Sequence, residues 1–424
     1  MLRKGMVIKM QNTDLLSLTA KAERDLADIF ADIDRISFEN TKRVMDAFKN
    51  NRVDDSCFAG TSGYGYDDKG RDTLDKIYAE VFGAEAAFVR HSIVNGTQAI
   101  AIALYGLLRP NDIMLSVTGK PYDTLEEVIG IAGERGNGSL ADFGVEYRQV
   151  DLVDGKVDLD AVERQLREGG DRVKIVFLQR SKGYMNRPTL TVDEIGEVAS
   201  FVKARSGAYV VVDNCYGEFT ETREPCAVGA DLIMGSLIKN PGGGIAESGG
   251  YIAGSAKAVE LASYRLTTVG VGLECGASLG SNKSLYKGFF FAPHVTAQAI
   301  KTAHLAAYIF EALGCDVNPK WNERRADIIQ AIILGKPERL VAFCQGIQSG
   351  SPVDSYVSPE PWDMPGYTDQ VIMAAGAFTQ GSSIELSADG PMRAPYTAFM
   401  QGGLTYESGK LGILAAAEKL LAVL

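Results

Sequence analysis

Between about residues 75 and 255 the chain alternates between two hydrophobic periods, and this alternation narrows the fold more than any other feature. Short apolar runs read as buried strands: AAFVR (86–90), DIMLSV (112–117), VEYRQV (145–150), KIVFLQ (174–179), AYVVVD (208–213) and DLIMG (231–235). Helical patterns at 97–108 and near 124–134, 158–168 and 192–205 separate several of them. Strand–helix alternation of this kind predicts a mostly parallel sheet with helices on both faces. A chain of 424 residues is too long for one ordinary core, so a second body is expected. Residues 14–50 carry apolar positions at helical spacing and read as one or two amphipathic helices, and 57–73 reads as a glycine-rich loop. After about residue 290 longer helices take over, with a strand candidate at SSIELS (382–387) and a last helix near 407–423. The expected division is an N-terminal helical segment, 1–60, a large α/β domain, 61–292, and a smaller C-terminal α+β domain, 293–424.

Composition removes several function classes. The net charge is −11 and no Lys/Arg block stands out, so a nucleic-acid partner is not expected. Six cysteines are scattered without a Cys-x-x-Cys pair, which suggests neither a disulfide framework nor a thiolate metal site. No two of the three histidines have zinc-ligand spacing. The first residues lack a secretory apolar core, and no apolar run is long enough to span a bilayer, so the expected location is the cytoplasm.

In open α/β sheets, ligands bind at the carboxyl ends of the strands, so the polar residues that follow the apolar runs carry the functional question. Asp213 follows Val210, Val211 and Val212; alone, it serves equally as a loop anchor. Ser236 and Lys239 follow the next run, in MGSLIKNPGGG; alone, Lys239 reads as a solvated loop charge. Asn95, Gly96 and Thr97 stand where AAFVRHSIV gives way to the helix QAIAIALYGLL. Such a helix start offers N–H groups and a hydroxyl to a phosphate, and equally forms a plain helix cap. Tyr122, in GKPYDTLEEVIG, comes just after DIMLSV. Together these residues fit one chemistry. A pyridoxal 5'-phosphate enzyme needs a lysine for the Schiff base, a carboxylate for the pyridine nitrogen, hydroxyls at a helix N-terminus for the phosphate, and often an aromatic ring against the cofactor. The triple glycine after Pro241 would let the backbone pass close to the cofactor and leave room for the amine to swing. GYGYDDKG and GVGLECG both miss the nicotinamide fingerprint spacing, and no nucleoside triphosphate loop occurs.

The order of these residues resembles the fold-type I pyridoxal phosphate enzymes (aspartate aminotransferase-like), and within them the cystathionine/methionine gamma-lyase group. There a strand-end Asp precedes Ser-x-x-Lys; here Lys239 lies 26 residues beyond Asp213. NGTQAI, QRSKGY, SLIKNPGGGIAESGGYIAG, the segment from PEPWDMPGYTDQ to ELSADGPMRAPY, and QGGLTY are similar to the methionine gamma-lyase-like or aluminium resistance family, described as cystathionine beta-lyases, from about residue 15 to the end. The resemblance implies a carbon–sulfur lyase that eliminates a thiol from a sulfur amino acid, giving a 2-keto acid and ammonia. An aminotransferase or aldolase on the same fold, or a non-catalytic pyridoxal phosphate-binding regulator, is the alternative. It further implies that Lys239 carries the cofactor and shuttles protons, Asp213 pairs with the pyridine nitrogen, Tyr122 stacks on the ring, and Gly96, Thr97 and Ser236 hold the phosphate. Arg393 would take the substrate α-carboxylate. Tyr66 would reach a neighbour's phosphate in a homodimer or homotetramer with composite active sites. The group's Tyr-x-Arg motif is broken here, because position 68 is Asp, which leaves Arg71 as a substitute cation. Gln179 and Arg180 follow a strand toward the same site without an assigned role.

Overall fold

The structure, a computed structural model, describes residues 12–364 and 367–424. Helices α1 (Asn12–Asp25), α2 (Ala27–Asn50) and α3 (Lys69–Phe82) lead to β1 (Ala86–Arg90), α4 (Gly96–Leu107), β2 (Ile113–Ser116), α5 (Asp123–Ile129) and β3 (Glu146–Gln149). A short hairpin, β4 (Leu152–Val153) and β5 (Lys156–Val157), precedes α6 (Leu159–Gly169), β6 (Val173–Gln179), α7 (Val192–Lys203), β7 (Tyr209–Asp213), β8 (Leu232–Ser236) and β9 (Gly250–Gly254). Then come α8 (Ala256–Leu266), α9 (Asn282–Ala312), β10 (Asp316–Asn318), β11 (Gln330–Ile333), α10 (Pro337–Ser349), β12 (Val371–Ala374), β13 (Ser387–Pro391), β14 (Thr397–Gln401) and α11 (Tyr406–Leu421). The described residues form two compact units, Phe38–His294 and the described residues up to Ser37 together with Val295–Leu424.

The first unit holds a seven-stranded sheet in the order β1-β9-β8-β7-β6-β2-β3. Strands β3, β2, β6, β7 and β8 run parallel. Strand β9 lies antiparallel between β8 and β1. Successive residues of the central strands face opposite sides, so each strand feeds two cores. Val176, Leu178, Val210, Val212 and Ile233 pack with Ile77, Val162, Ile195 and Val198 of α3, α6 and α7. Ile175, Phe177, Val211, Leu232 and Met234 pack with Ile100, Leu104, Val259 and Ala262 of α4 and α8. Burial on both faces is why these strands read as unbroken apolar runs. Strand β9, GYIAG, carries glycine at both ends and lacks such a run. Helix α5 stops at Ile129, short of the expected 134, because Gly130 turns left-handed at φ 90° and closes the last turn.

The other unit is built on a five-stranded antiparallel sheet, β10-β11-β14-β13-β12. Ile332, Ile372, Ala388 and Met400 of this sheet pack with Phe343 and Ile347 of α10 and with Ile413 and Ala416 of α11. The expected strand SSIELS is displaced: residues 382–386 are irregular and β13 begins at Ser387. The cause is Glu385, whose carboxylate accepts the Phe378 and Thr379 N–H groups (2.8 and 2.9 Å) and so folds the segment back on its own loop. Among the described residues, no helix is long and apolar enough to cross a membrane.

Candidate active site

The carboxyl ends of the parallel strands converge by register. Asp213, the last residue of β7, lies opposite Gln179 on β6 and Met234 on β8. Two residues beyond Met234, Ser236 ends β8, and Lys239 follows in the next turn. Facing them is the start of α4. Asn95 caps this helix by accepting the Gln98 N–H (2.8 Å), so the plain-cap role belongs to Asn95. That leaves Gly96 and Thr97 at the first two helical positions, whose N–H groups have no intrahelical acceptor.

These residues share one small space. A Cβ on Gly96 would lie 3.2 Å from Cys215 Sγ, 3.6 Å from Ser236 Cβ and 3.9 Å from Lys239 Nζ. Its absence leaves open a cradle between the helix start, a hydroxyl and an amine. The Tyr122 hydroxyl donates to Thr97 Oγ1 (2.8 Å), which also lies 3.1 Å from Thr124 Oγ1. Gln179 fixes Tyr122 from the other side, its Oε1 accepting the Tyr122 N–H at 2.8 Å. Gln179 therefore positions the tyrosine. Arg180, fully buried, is a structural hub: Nη1 donates to Asn214 Oδ1 and Gly217 O (2.8 and 2.9 Å), and Nη2 to Glu221 Oε2 (2.8 Å). It locks the turn that follows Asp213.

Charge in the site is set by burial. Asp213 is 4% exposed, and burial pushes its pKa up, while Lys239, the Cys215 N–H and thiol, and Arg187 pull it back. The Cys215 N–H donates to Asp213 Oδ1 at 3.1 Å. Burial, then Asp213, raise the Cys215 thiol far above its ordinary range, so it stays a neutral donor. Lys239 is half-buried. Burial works against the ammonium, but Cys215 first, then Tyr216, Asp213 and Tyr122, raise its pKa as they ionise. Tyr122 is raised by burial first and by Asp213 next. Cys215, Tyr216, Asn240 and Arg187 join the site in the structure without being among the residues expected from the sequence. The first two stand in NCYGEF directly after Asp213, where position beyond a strand end is their signal; Asn240 stands beside Lys239 in MGSLIKNPGGG, and nothing local marks Arg187.

The glycines after Pro241 serve close packing. A Cβ on Gly242 would sit 1.7 Å from the Leu237 carbonyl oxygen, and one on Gly288 of α9 would sit 2.3 Å from the Gly242 carbonyl oxygen. The loop is thus pressed backbone to backbone against its own turn and against α9, and this close packing fixes where Lys239 emerges.

Tyr66 and Arg393 each have contacts of their own. Tyr66 is 59% exposed and stacks on the exposed Tyr64 (ring centroids 5.5 Å apart). A hydrogen bond with the Cys275 thiol pushes its pKa up. Arg71 is turned into its own chain. It is 4% exposed, and its Nη1 donates to the Gly65 and Gly276 carbonyls (2.7 and 2.9 Å). Asp68 accepts from Thr61, Ser278, Asn282 and the Arg71 N–H, and caps α3. Positions 68 and 71 therefore staple the loop that carries Tyr66. Arg393 belongs to the C-terminal unit, between β13 and β14, where its Nη1 donates to Asp369 Oδ2 at 2.9 Å.

The methionine gamma-lyase family profile matches residues 15–421. The chain is 53% identical to the uncharacterized protein YnbB of Bacillus subtilis over 96% of its own length and 97% of that protein's. It is 48% identical to the crystal structure of a carbon–sulfur lyase involved in aluminium resistance from Clostridium novyi, with a TM-score of 0.93, covering 98% of this chain and 97% of that one. The fold alone also matches a methionine gamma-lyase from Micromonospora echinospora, with a TM-score of 0.54 at 19% identity, covering 82% and 86% of the two chains. With the strand-end geometry above, these likenesses place the chain in the methionine gamma-lyase family, on the fold-type I architecture of pyridoxal phosphate-dependent enzymes.

Proposed function

We propose that the protein is a pyridoxal phosphate-dependent carbon–sulfur lyase that eliminates a thiol from a sulfur amino acid. The observation that carries this reading is the convergence of Lys239, Asp213, Ser236, Gly96, Thr97 and Tyr122 at one set of strand ends in a chain of this family. The donor set suits the cofactor: an amine for its aldehyde, a buried carboxylate for its ring nitrogen, and helix N–H groups with hydroxyls for its phosphate. When bound, pyridoxal phosphate supplies an electron-poor ring that accepts the electron pair left at the substrate α-carbon as its proton departs.

The chain's own groups do the rest. Lys239 Nζ would hold the cofactor and, as a free amine, would serve as the base that takes the substrate α-proton and returns it to the departing sulfur. Asp213 keeps a proton on the ring nitrogen; a cation beside it favours its ionised form against the burial that raises its pKa. Gly96, Thr97 and Ser236 hold the phosphate, with Thr97 oriented by Tyr122 and Thr124. Tyr122 would offer its ring to the cofactor, and Arg393 would take the substrate α-carboxylate. Cystathionine, cystine and methionine, each incubated with enzyme alone, test the reaction type. Thiol, ammonia and a 2-keto acid are expected together from at least one of the three. Turnover that requires an added 2-keto acid and releases no ammonia would instead make the protein an aminotransferase.

The exposed Tyr64–Tyr66 pair, on a loop stapled by Arg71 and Asp68, supports assembly into a homo-oligomer in which Tyr66 completes a neighbour's phosphate site. Mixing an inactive Tyr66→Ala variant with an inactive Lys239→Ala variant should restore part of the activity, because some hybrid sites then hold both residues. No recovery despite demonstrated subunit exchange would put Tyr66 outside the neighbour's site.

A further inference from the structure

Tyr216, on the turn after Asp213, is a non-glycine residue in the left-handed region, at φ 71°. Such conformations persist only where the surroundings over-determine them, and they cluster at functional sites. Here the surroundings belong to the lysine segment itself. Asn240, next to Lys239 and fully buried, donates through Nδ2 to the Tyr216 and Glu218 carbonyls, both at 3.0 Å. Arg180 Nη1 donates to the following carbonyl, Gly217 O, at 2.9 Å. The strained turn sets the Tyr216 ring beneath the amine: Lys239 Nζ lies 4.1 Å from the ring centroid. A ring face attracts an ammonium through its quadrupole and has no comparable hold on a neutral amine.

We propose that the Tyr216 ring is a shelf on which the protonated Lys239 amine rests whenever it is not bonded to a ligand, so that Tyr216 is a positioning residue for the proton-carrying lysine. This rests on Lys239 being the cofactor's amine. The groups around that amine are Asp213 and Cys215 at the end of β7, Tyr122 at the start of α5, and Glu218 on the same turn as Tyr216. Cys215 and Tyr122 are held neutral, and burial pushes Glu218 up to about 8, so it too is uncharged at neutral pH. Asp213 is the remaining anion, and the ring shelf adds to it in steadying the ammonium.

The full-length protein, resolved of cofactor, tests this by acetic anhydride labelling across a pH series, with acetylation of Lys239 read by peptide mass spectrometry. Removing the ring stabilises the free amine relative to the ammonium, so the labelling midpoint must fall. Tyr216→Gly deletes the ring and relieves the positive φ, so its fold is not put at risk; Tyr216→Leu is the second variant, should the glycine turn prove loose by circular dichroism. The midpoint is expected to drop by roughly 0.5–1 pH unit in both, which is about 3- to 10-fold more label at a fixed pH below it. Tyr216→Phe, which keeps the ring face, should match the wild type. A ring-deleted variant with the wild-type midpoint overturns the shelf. That result would leave the lyase reading intact if borohydride still fixes a pyridoxyl group on Lys239, and a pyridoxyl group on another lysine would sink the lyase reading regardless of the midpoints.

Discussion

Asp213→Asn is expected to fold, to bind pyridoxal phosphate, and to lose about 10²- to 10³-fold in turnover, the scale seen when one preorganised electrostatic group is removed from a site. The amide has the size of the carboxyl, and its oxygen still accepts the Cys215 N–H, which donates to Asp213 Oδ1 at 3.1 Å. What it lacks is charge. Arg187 and Lys239 already act on this position as cations, so a neutral side chain leaves them uncompensated and leaves nothing to hold a proton on a ring nitrogen. Steady-state kinetics on the cofactor-loaded variant check this, with bound pyridoxal phosphate measured after release by alkali. A loss confined to KM, or near-full turnover, would remove Asp213 from its assigned place.

Lys239→Ala is expected to cost more, at least about 10³-fold, because one group both attaches the cofactor and moves the proton. The fold should survive. The Lys239 side chain is not among those that pack the sheet cores, and the segment is held by Asn240 and by the backbone contact between Gly242 and α9. The variant should still take up pyridoxal phosphate through Ser236, Gly96 and Thr97, but without a borohydride-reducible bond to the chain. Far-ultraviolet circular dichroism with a turnover assay separates loss of chemistry from loss of structure. Turnover within tenfold of wild type would exclude Lys239 as the proton carrier.

What could be read from the sequence follows a physical divide. The central strands were legible because burial on both faces forces apolar runs, and Asp213, Ser236 and Lys239 were legible because they stand where those runs stop. Strand β9 was hidden by its glycines, and residues 382–386 misled because a buried apolar segment can be held by a carboxylate, Glu385, instead of by a ladder. Contacts between residues distant in sequence left no local trace. Gly242 is small because Gly288 is where it is, and Arg71 turns inward because the Gly276 carbonyl meets it. Tyr216 beneath Lys239 is of the same kind, set by Asn240 across the turn.

The most direct test of the central claim is where the cofactor is attached. The purified protein, reduced with borohydride, digested and mapped by mass spectrometry, should carry a pyridoxyl group on the peptide containing Lys239. A pyridoxyl group on another lysine, such as the fully buried Lys182 in the loop between β6 and α7, or none at all, would contradict the account.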